Sequence, residues 1–350
     1  GNSISFKALE KITVEGEVLD ASGQLVTDFT GIVNPTVKDS KVTVTCLKNS
    51  NKDDTPAFTF TDYPNTIFIG NDSVRNGKFS FTFTVPKDIS YSNLQGKMNL
   101  YAVDTESGNE AQGNFDNFIV GGTSDTAETD TIGPEIRALY LNDTTFVDGG
   151  QVNTTPYFVA ELWDKSGVNI TGSSVGHDMM LVIDESTVLS YNLNSYYELL
   201  PGEEGAGIVK FPIPALEPGK HTAEFWVWDI QNNSTVRTFT FEVVEGLKPF
   251  LFDVIATPGI AREQVTFHLM HNRPESRMRV GIMVYDLAGR QLWKHEESGT
   301  SGLFENYTVS WDLTCGGARM RPGVYIYRAA ISTDNSKDAT KARKFIILGE

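Results

Sequence analysis

Two cysteines and five histidines carry the most reactive side chains of this 350-residue chain: Cys46, Cys315, His177, His221, His268, His271 and His295. A thiol peptidase needs a Cys nucleophile deprotonated by a neighbouring His, with backbone N–H groups to receive the oxyanion. The spacing argues against one here. Every histidine lies far along the chain from Cys46, while Cys315 shares its stretch with His268, His271 and His295. Yet Cys315 stands in TCGGARMRPG, a turn between strand-like runs, with no helix N-terminus to lower a thiol pKa. Cys46 closes the alternation Val42, Val44, Cys46, which predicts a strand with the thiol on its buried apolar face, where a cysteine is inert. No catalytic residue is assigned, and no disulfide between the two distant cysteines is expected.

Oxygen donors offer different chemistry. The acidic loops Asp104-Glu106 and Asp125-Glu128-Asp130 suit Ca²⁺ held between modules, and ordinary solvated charge is the competing reading. His268 and His271 are three apart in a strand-like run, hence on opposite faces and unable to chelate together, so no metal ligand is assigned. Polar density peaks in the loop running from Asp164 through Asn169 to His177 and Asp178, the candidate contact surface; its side chains would otherwise serve the backbone of a long connection. Trp163, Trp226, Trp228, Trp293 and Trp311 could stack against sugars, but each sits inside a strand-like run, so core packing is expected.

The elements that must position these residues are strands. In GKFSFTFTV, Phe79, Phe81, Phe83 and Val85 alternate with Ser80, Thr82 and Thr84, a half-buried pattern. In the 223–228 run, Phe225 and Val227 face one way and Trp226 and Trp228 the other. Turn formers punctuate the chain at Asp20 to Gly23, Asn76-Gly77, Ser107 to Asn109 and Asp286 to Gly289. Helical periodicity is nearly absent. The expectation is all-β: three tandem immunoglobulin-like β-sandwich domains over 1–122, 135–246 and 247–350, with a Gly/Ser/Thr/Asp-rich linker at 123–134.

The net charge of −16 is uneven: −7 over residues 1–129, −12 over 130–245 and +3 over 246–350. An acidic body disfavours nucleic acid as a partner, and the basic last segment suits docking on the acidic middle one or on anionic envelope lipids. No stretch approaches the length of a membrane-spanning apolar helix. The opening GNSISFKALEK has neither Met nor an apolar signal region, so an upstream portion with any export signal is expected.

Some strings resemble a known family. DTIGPEIRALYLND, PYFVAELWDKSGVNITGSSVGHDMMLVID and GKHTAEFWVWDIQNNS resemble the region after the peptidase domain in gingipain-type cysteine peptidases of family C25, specifically those acting as the sortase of the type IX secretion system. GEVLDASGQLVTDFTG and NDSVRNGKFSFTFTVPKDISY are similar to the stretch just downstream of catalysis. ATPGIAREQVTFHL, VYDLAGRQLW, VSWDL and RPGVYIYR resemble C-terminal sorting or hook-cap domains, with Thr257 to Gly259 where such modules usually carry Asn-Pro. The resemblance implies a non-catalytic region at the cell surface or outer membrane, exported, serving a cysteine peptidase domain supplied in cis. That parent enzyme would have transpeptidase-type sortase activity, removing sorting domains and attaching cargo to lipopolysaccharide. Its partners would be outer-membrane secretion components and cargo sorting domains. The resemblance also marks Thr126 and Thr131, each preceded by Asp and followed by a small or apolar residue, as O-glycosylation candidates. A free-standing surface adhesin or glycan-binding protein is the alternative.

Overall fold

The computed structural model describes residues 4–47, 56–127, 129–172, 176–200, 203, 205–333, 335–336 and 338–349. The chain is all-β, and among the described residues the single helical element is the short 3-10 turn Asn194–Tyr196. Each sheet draws its strands from one of three stretches of sequence.

In the first stretch, Gly31–Lys38 is central to a five-stranded sheet ordered Glu110–Phe115, Lys97–Asp104, Gly31–Lys38 and Thr66–Ile69, with Asp72–Val74 also on Gly31–Lys38. A three-stranded sheet places Phe118–Thr123 between Ile4–Ala8 and Leu94–Gln95, and Lys11–Glu17 pairs with Lys78–Thr84. The Phe79, Phe81 and Phe83 side chains turn inward as the alternation requires, while Ser80 and Thr82 face water. Phe68 stacks on Phe83 at 4.7 Å between centroids, within a core that includes Val33, Val37, Met98 and Phe118.

The middle stretch builds a four-stranded sheet ordered Glu135–Leu141, Tyr157–Trp163, Ala206–Pro212, Tyr197–Leu199. Its five-stranded companion runs Gly150–Val152, Ser234–Val243, Gly219–Trp228, Met180–Ile183, Ser190–Asn192. The last stretch repeats the arrangement: Leu251–Thr257, Val265–His271, Tyr307–Trp311 in one sheet, and Ile260–Ala261, Ala339–Ile347, Gly323–Ser332, Met278–Tyr285, Gln291–Gly299 in the other. Phe267, Trp311, Tyr327 and Phe345 fill its core, and the Tyr327 hydroxyl donates to the Val254 carbonyl. By compactness the chain divides into two units: Gly1–Leu139, Val159–Phe211 and Thr222–Phe239 form the first, and Tyr140–Phe158, Pro212–His221 and Thr240–Glu350 the second.

One hairpin device recurs. At Asp20 to Gln24, Asp229 to Asn233 and Asp286 to Arg290, the first residue's N–H donates to the carbonyl of the fifth, and the fourth residue (Gly23, Asn232 or Gly289) has positive φ. The Asp carboxylate accepts the N–H groups of the third and fifth residues each time. This is a three-residue loop closed by a left-handed position, which Gly or Asn supplies at least cost.

Cys46 departs from expectation. The strand Val42–Thr45 stops before it; among the described residues it pairs with Thr59–Asp62 in a two-stranded ladder whose Val42 and Val44 are half-buried, and the thiol beyond the strand end is exposed. Alternation signals burial only as far as the strand runs.

Candidate functional site

Three acidic side chains of the first unit converge at one point. Strand Tyr157–Trp163 ends at Asp164, whose N–H donates to the Gly205 carbonyl; Gly205 has φ +80°, and a Cβ there would lie 2.1 Å from the Asp164 oxygen. This close approach needs glycine. The Asp164 Oδ1 accepts the N–H groups of Ser166 and Gly167, each at 2.8 Å. Asp229 opens the turn between Gly219–Trp228 and Ser234–Val243, with its Oδ2 receiving Asn233 Nδ2 at 2.7 Å. Asp130 arrives from the stretch before Glu135: its N–H donates to Gln231 Oε1, its carbonyl accepts Asn233 Nδ2, and its Oδ2 accepts the Ser166 hydroxyl. One carboxylate oxygen from each of Asp130, Asp164 and Asp229 lies within 4.8 Å of the others.

Electrostatics follows from burial. Asp164 and Asp229 are 3% and 0% exposed. Burial pushes the Asp164 carboxyl up to about 6, with the Asp229 and Asp130 charges adding to it. Asp229 is likewise raised, by burial first and against its own N–H donors. Half-buried Asp130 moves the other way, held down chiefly by the Ser166 hydroxyl. Oxygen donors alone make up this cluster, the donor set of a hard cation.

Beside it, a second polar knot ties the 86–90 turn to the middle strands. Lys87 N–H donates to the Ile230 carbonyl at 2.8 Å. Asp88 meets His177 Nδ1 at 2.6 Å and accepts Asn232 Nδ2 at 2.8 Å, while the His177 ring packs 4.5 Å from Trp228.

Of the loop residues, Asp164 and Asn169 are buried and turned inward, Asn169 accepting Thr171 N–H; His177 is engaged with Asp88, and Asp178 accepts Asn194 Nδ2 at 2.7 Å. Ser173 and Ser174 of that loop lie outside the described residues. Of the acidic loops, Asp104 spends its carboxylate on the N–H groups of Ser107, Thr30 and Glu106, which hold it at about 2. Asp125 is exposed, Glu128 lies outside the described residues, and only Asp130 joins the cluster. Thr126 and Thr131 are exposed. Asp229, Asp88 and Tyr197 were not singled out from the sequence. The turn string DIQNN marks Asp229 as a turn former, but nothing local places it beside Asp164.

Neither thiol, among the described residues, is hydrogen-bonded to an imidazole: Cys315 Sγ donates to the Leu292 carbonyl at 2.8 Å, and His295 and His271 engage Glu297 and Ser301. Trp311 is buried, and the other four tryptophans are half-buried within or at the ends of strands. Among the described residues, no helix is long and apolar enough to cross a membrane.

Fold and site define an all-β protein of immunoglobulin-like sandwiches. No family model matches the chain, and no curated protein matches it. Among solved structures it is similar to dimeric latent PorU from Porphyromonas gingivalis, at 37% identity over 99% of this chain and 32% of that one, with a TM-score of 0.42. The chain thus spans about a third of that chain's length. It is also similar to SGBP-B of the Bacteroides ovatus mixed-linkage glucan utilization locus, in complex with a mixed-linkage heptasaccharide (9% identity, 100% of this chain and 67% of that one, TM-score 0.27). A further likeness is to the N-terminal Ig1-2 module of the Drosophila receptor protein tyrosine phosphatase DLAR (10% identity, 62% and 98%, TM-score 0.24).

Proposed function

We propose that this chain is the non-catalytic region downstream of the peptidase domain in a PorU-type, C25-family sortase of the type IX secretion system. In this reading three tandem modules, over 1–122, 135–246 and 247–350, support cargo processing and surface attachment at the outer membrane. The nucleophile and its base belong to a domain carried in cis, and the β-sandwiches position that domain, or its cargo, at the surface. The observation that carries this is sequence agreement along the whole chain: the strings described above fall in all three stretches, and 37% identity to PorU extends over 99% of the residues. The all-β architecture suits a supporting role, because a C25-type site is built on parallel strands and helices that supply oxyanion-holding N–H groups.

The test is the reading frame upstream of residue 1. The expected result is an in-frame α/β peptidase domain with a Cys and a His in reach of one another. A signal peptide joined directly to Asn2 would overturn the proposal and leave a free-standing surface protein, for which sugar binding on a glycan array becomes the next measurement.

A further inference from the structure

The Asp130, Asp164 and Asp229 carboxylates sit within 4.8 Å of one another, close enough to share one coordination sphere of radius about 2.4 Å. Two of the three are buried, and among the described residues neither Asp164 nor Asp229 pairs with a Lys or Arg side chain. Lys165 acts on Asp130, the half-buried member. Ionised carboxylates packed this way repel each other in a medium that screens poorly, and a cation among them reverses the sign of the interaction.

A different side chain points to the same place. Tyr197 is 7% exposed, and its hydroxyl is buried without a hydrogen-bond partner. Its strand pairs with Ala206–Pro212, with Tyr197 opposite Val209 and Leu199 opposite Gly207. The ring crosses diagonally to lie over Gly207, where a Cβ would stand 2.2 Å from the hydroxyl. That direction leads toward Gly205, whose carbonyl receives the Asp164 N–H, and the Asp164 charge acts on the phenol. A buried hydroxyl with no hydrogen-bond partner is costly, and one directed toward the Gly205–Asp164 end of the strand pair suits a coordination shell, directly or through a bound water.

We propose that Asp130, Asp164 and Asp229, with the Tyr197 hydroxyl behind them, form a binding site for a divalent cation of the calcium type. The donors are all oxygen, with no imidazole or thiolate, which selects a hard cation over zinc. Because Asp130 precedes the strand Glu135–Leu141 while Asp164 and Asp229 sit at the ends of other strands, the ion fastens that segment to two strand ends at once. This inference is independent of the sortase reading and survives its failure.

The test is calorimetric titration of CaCl2 into the intact chain after EGTA treatment, with Tm followed in parallel. Saturable binding with Kd between about 0.1 and about 1 mM, the range of extracellular calcium modules, is expected, with a rise in Tm and weaker binding of Mg²⁺. Asp130→Asn, a change at a half-buried position, should weaken binding by at least about tenfold, and Tyr197→Phe by less. Asp125→Asn, at an exposed carboxylate nearby in sequence, should leave binding unchanged. Wild-type protein that shows neither heat nor a Tm shift at about 10 mM CaCl2 overturns the site. So does an Asp130→Asn protein that binds as tightly as wild type, or an Asp125→Asn protein that loses as much.

Discussion

The first compact unit buries negative charge and the second buries positive charge, and the two are satisfied in different ways. In the second unit Arg273 is 1% exposed, and its guanidinium donates to the carbonyls of Leu247 and Asn272 and to Asn272 Oδ1, at 3.0 to 3.1 Å. The Arg273 main-chain N–H donates to His271 Nδ1, whose ring in turn donates from Nε2 to the Ser301 hydroxyl. One cation thus meets several fixed acceptors. In the first unit Asp164 and Asp229 also meet fixed groups, the N–H donors of their own turns, but a third carboxylate sits beside them. Fixed carbonyl and amide oxygens surround the Arg273 guanidinium, whereas the clustered carboxylates call for a counter-ion.

The repeated turn sharpens the contrast. Asp20, Asp229 and Asp286 make the same main-chain hydrogen bonds, yet their acidities diverge. The Gln24 and Arg290 N–H groups hold Asp20 and Asp286 below the ordinary carboxylate range, while burial lifts Asp229 above it. Identical local chemistry therefore gives opposite electrostatics once the surroundings differ.

The largest expected effect is at Arg273. Arg273→Ala should cost about 3–5 kcal/mol in urea unfolding, because it strands several buried carbonyls and opens a cavity. Arg273→Met retaining wild-type stability would break the comparison. Asp229→Ala should cost about 2–3 kcal/mol in the same assay by stranding the Gln231 and Asn233 N–H groups. Asp229→Asn, which keeps an acceptor and removes a repelling charge, should cost less without added calcium and forfeit the stabilisation calcium brings. Gly205→Ala should cost about 2 kcal/mol, since the new Cβ meets the Asp164 carbonyl at a positive φ.

A pH series tests the basic region. Burial pushes His271 down to about 4 from its ordinary 6.5, with the Arg273 charge adding to the shift. The native state therefore refuses a proton that the unfolded chain accepts. Stability from this group is complete above pH 6.5, falls as the pH drops toward about 4, and is constant below that. His271→Gln should flatten the slope in that window, and a slope equal to wild type would remove His271 as its source. The smallest effect belongs to Asp286→Ala: its turn is largely solvated, and Tm should fall less than for Asp229→Ala.

Much of the fold was legible in the residues. Phe79, Phe81 and Phe83 announced their inward face, and Asp286 to Gly289 announced its hairpin, because strand alternation and turn chemistry are local properties. Cys46 was misread because the alternation Val42, Val44, Cys46 does not reveal that the strand ends at Thr45. The acidic site was half visible: Asp130 and Asp164 drew notice in separate roles, as a linker carboxylate and a loop residue. Asp229 looked like a turn former and nothing more. What joins them is the pairing of distant strands, which no local pattern encodes. Asn169 and Asp164 read as surface loop residues for the same reason, since polar side chains that serve buried backbone look like those that serve solvent.

Hydrogen exchange at the two matching turns, with EGTA and then with saturating CaCl2, tests whether a cation joins Asp130, Asp164 and Asp229. Calcium is expected to slow exchange at the Ser166, Gly167, Gln231 and Asn233 amides and to leave Ala288 and Arg290 unchanged, although the 229–233 and 286–290 turns share one hydrogen-bond geometry. Equal slowing at both turns, or none at the first, would contradict it.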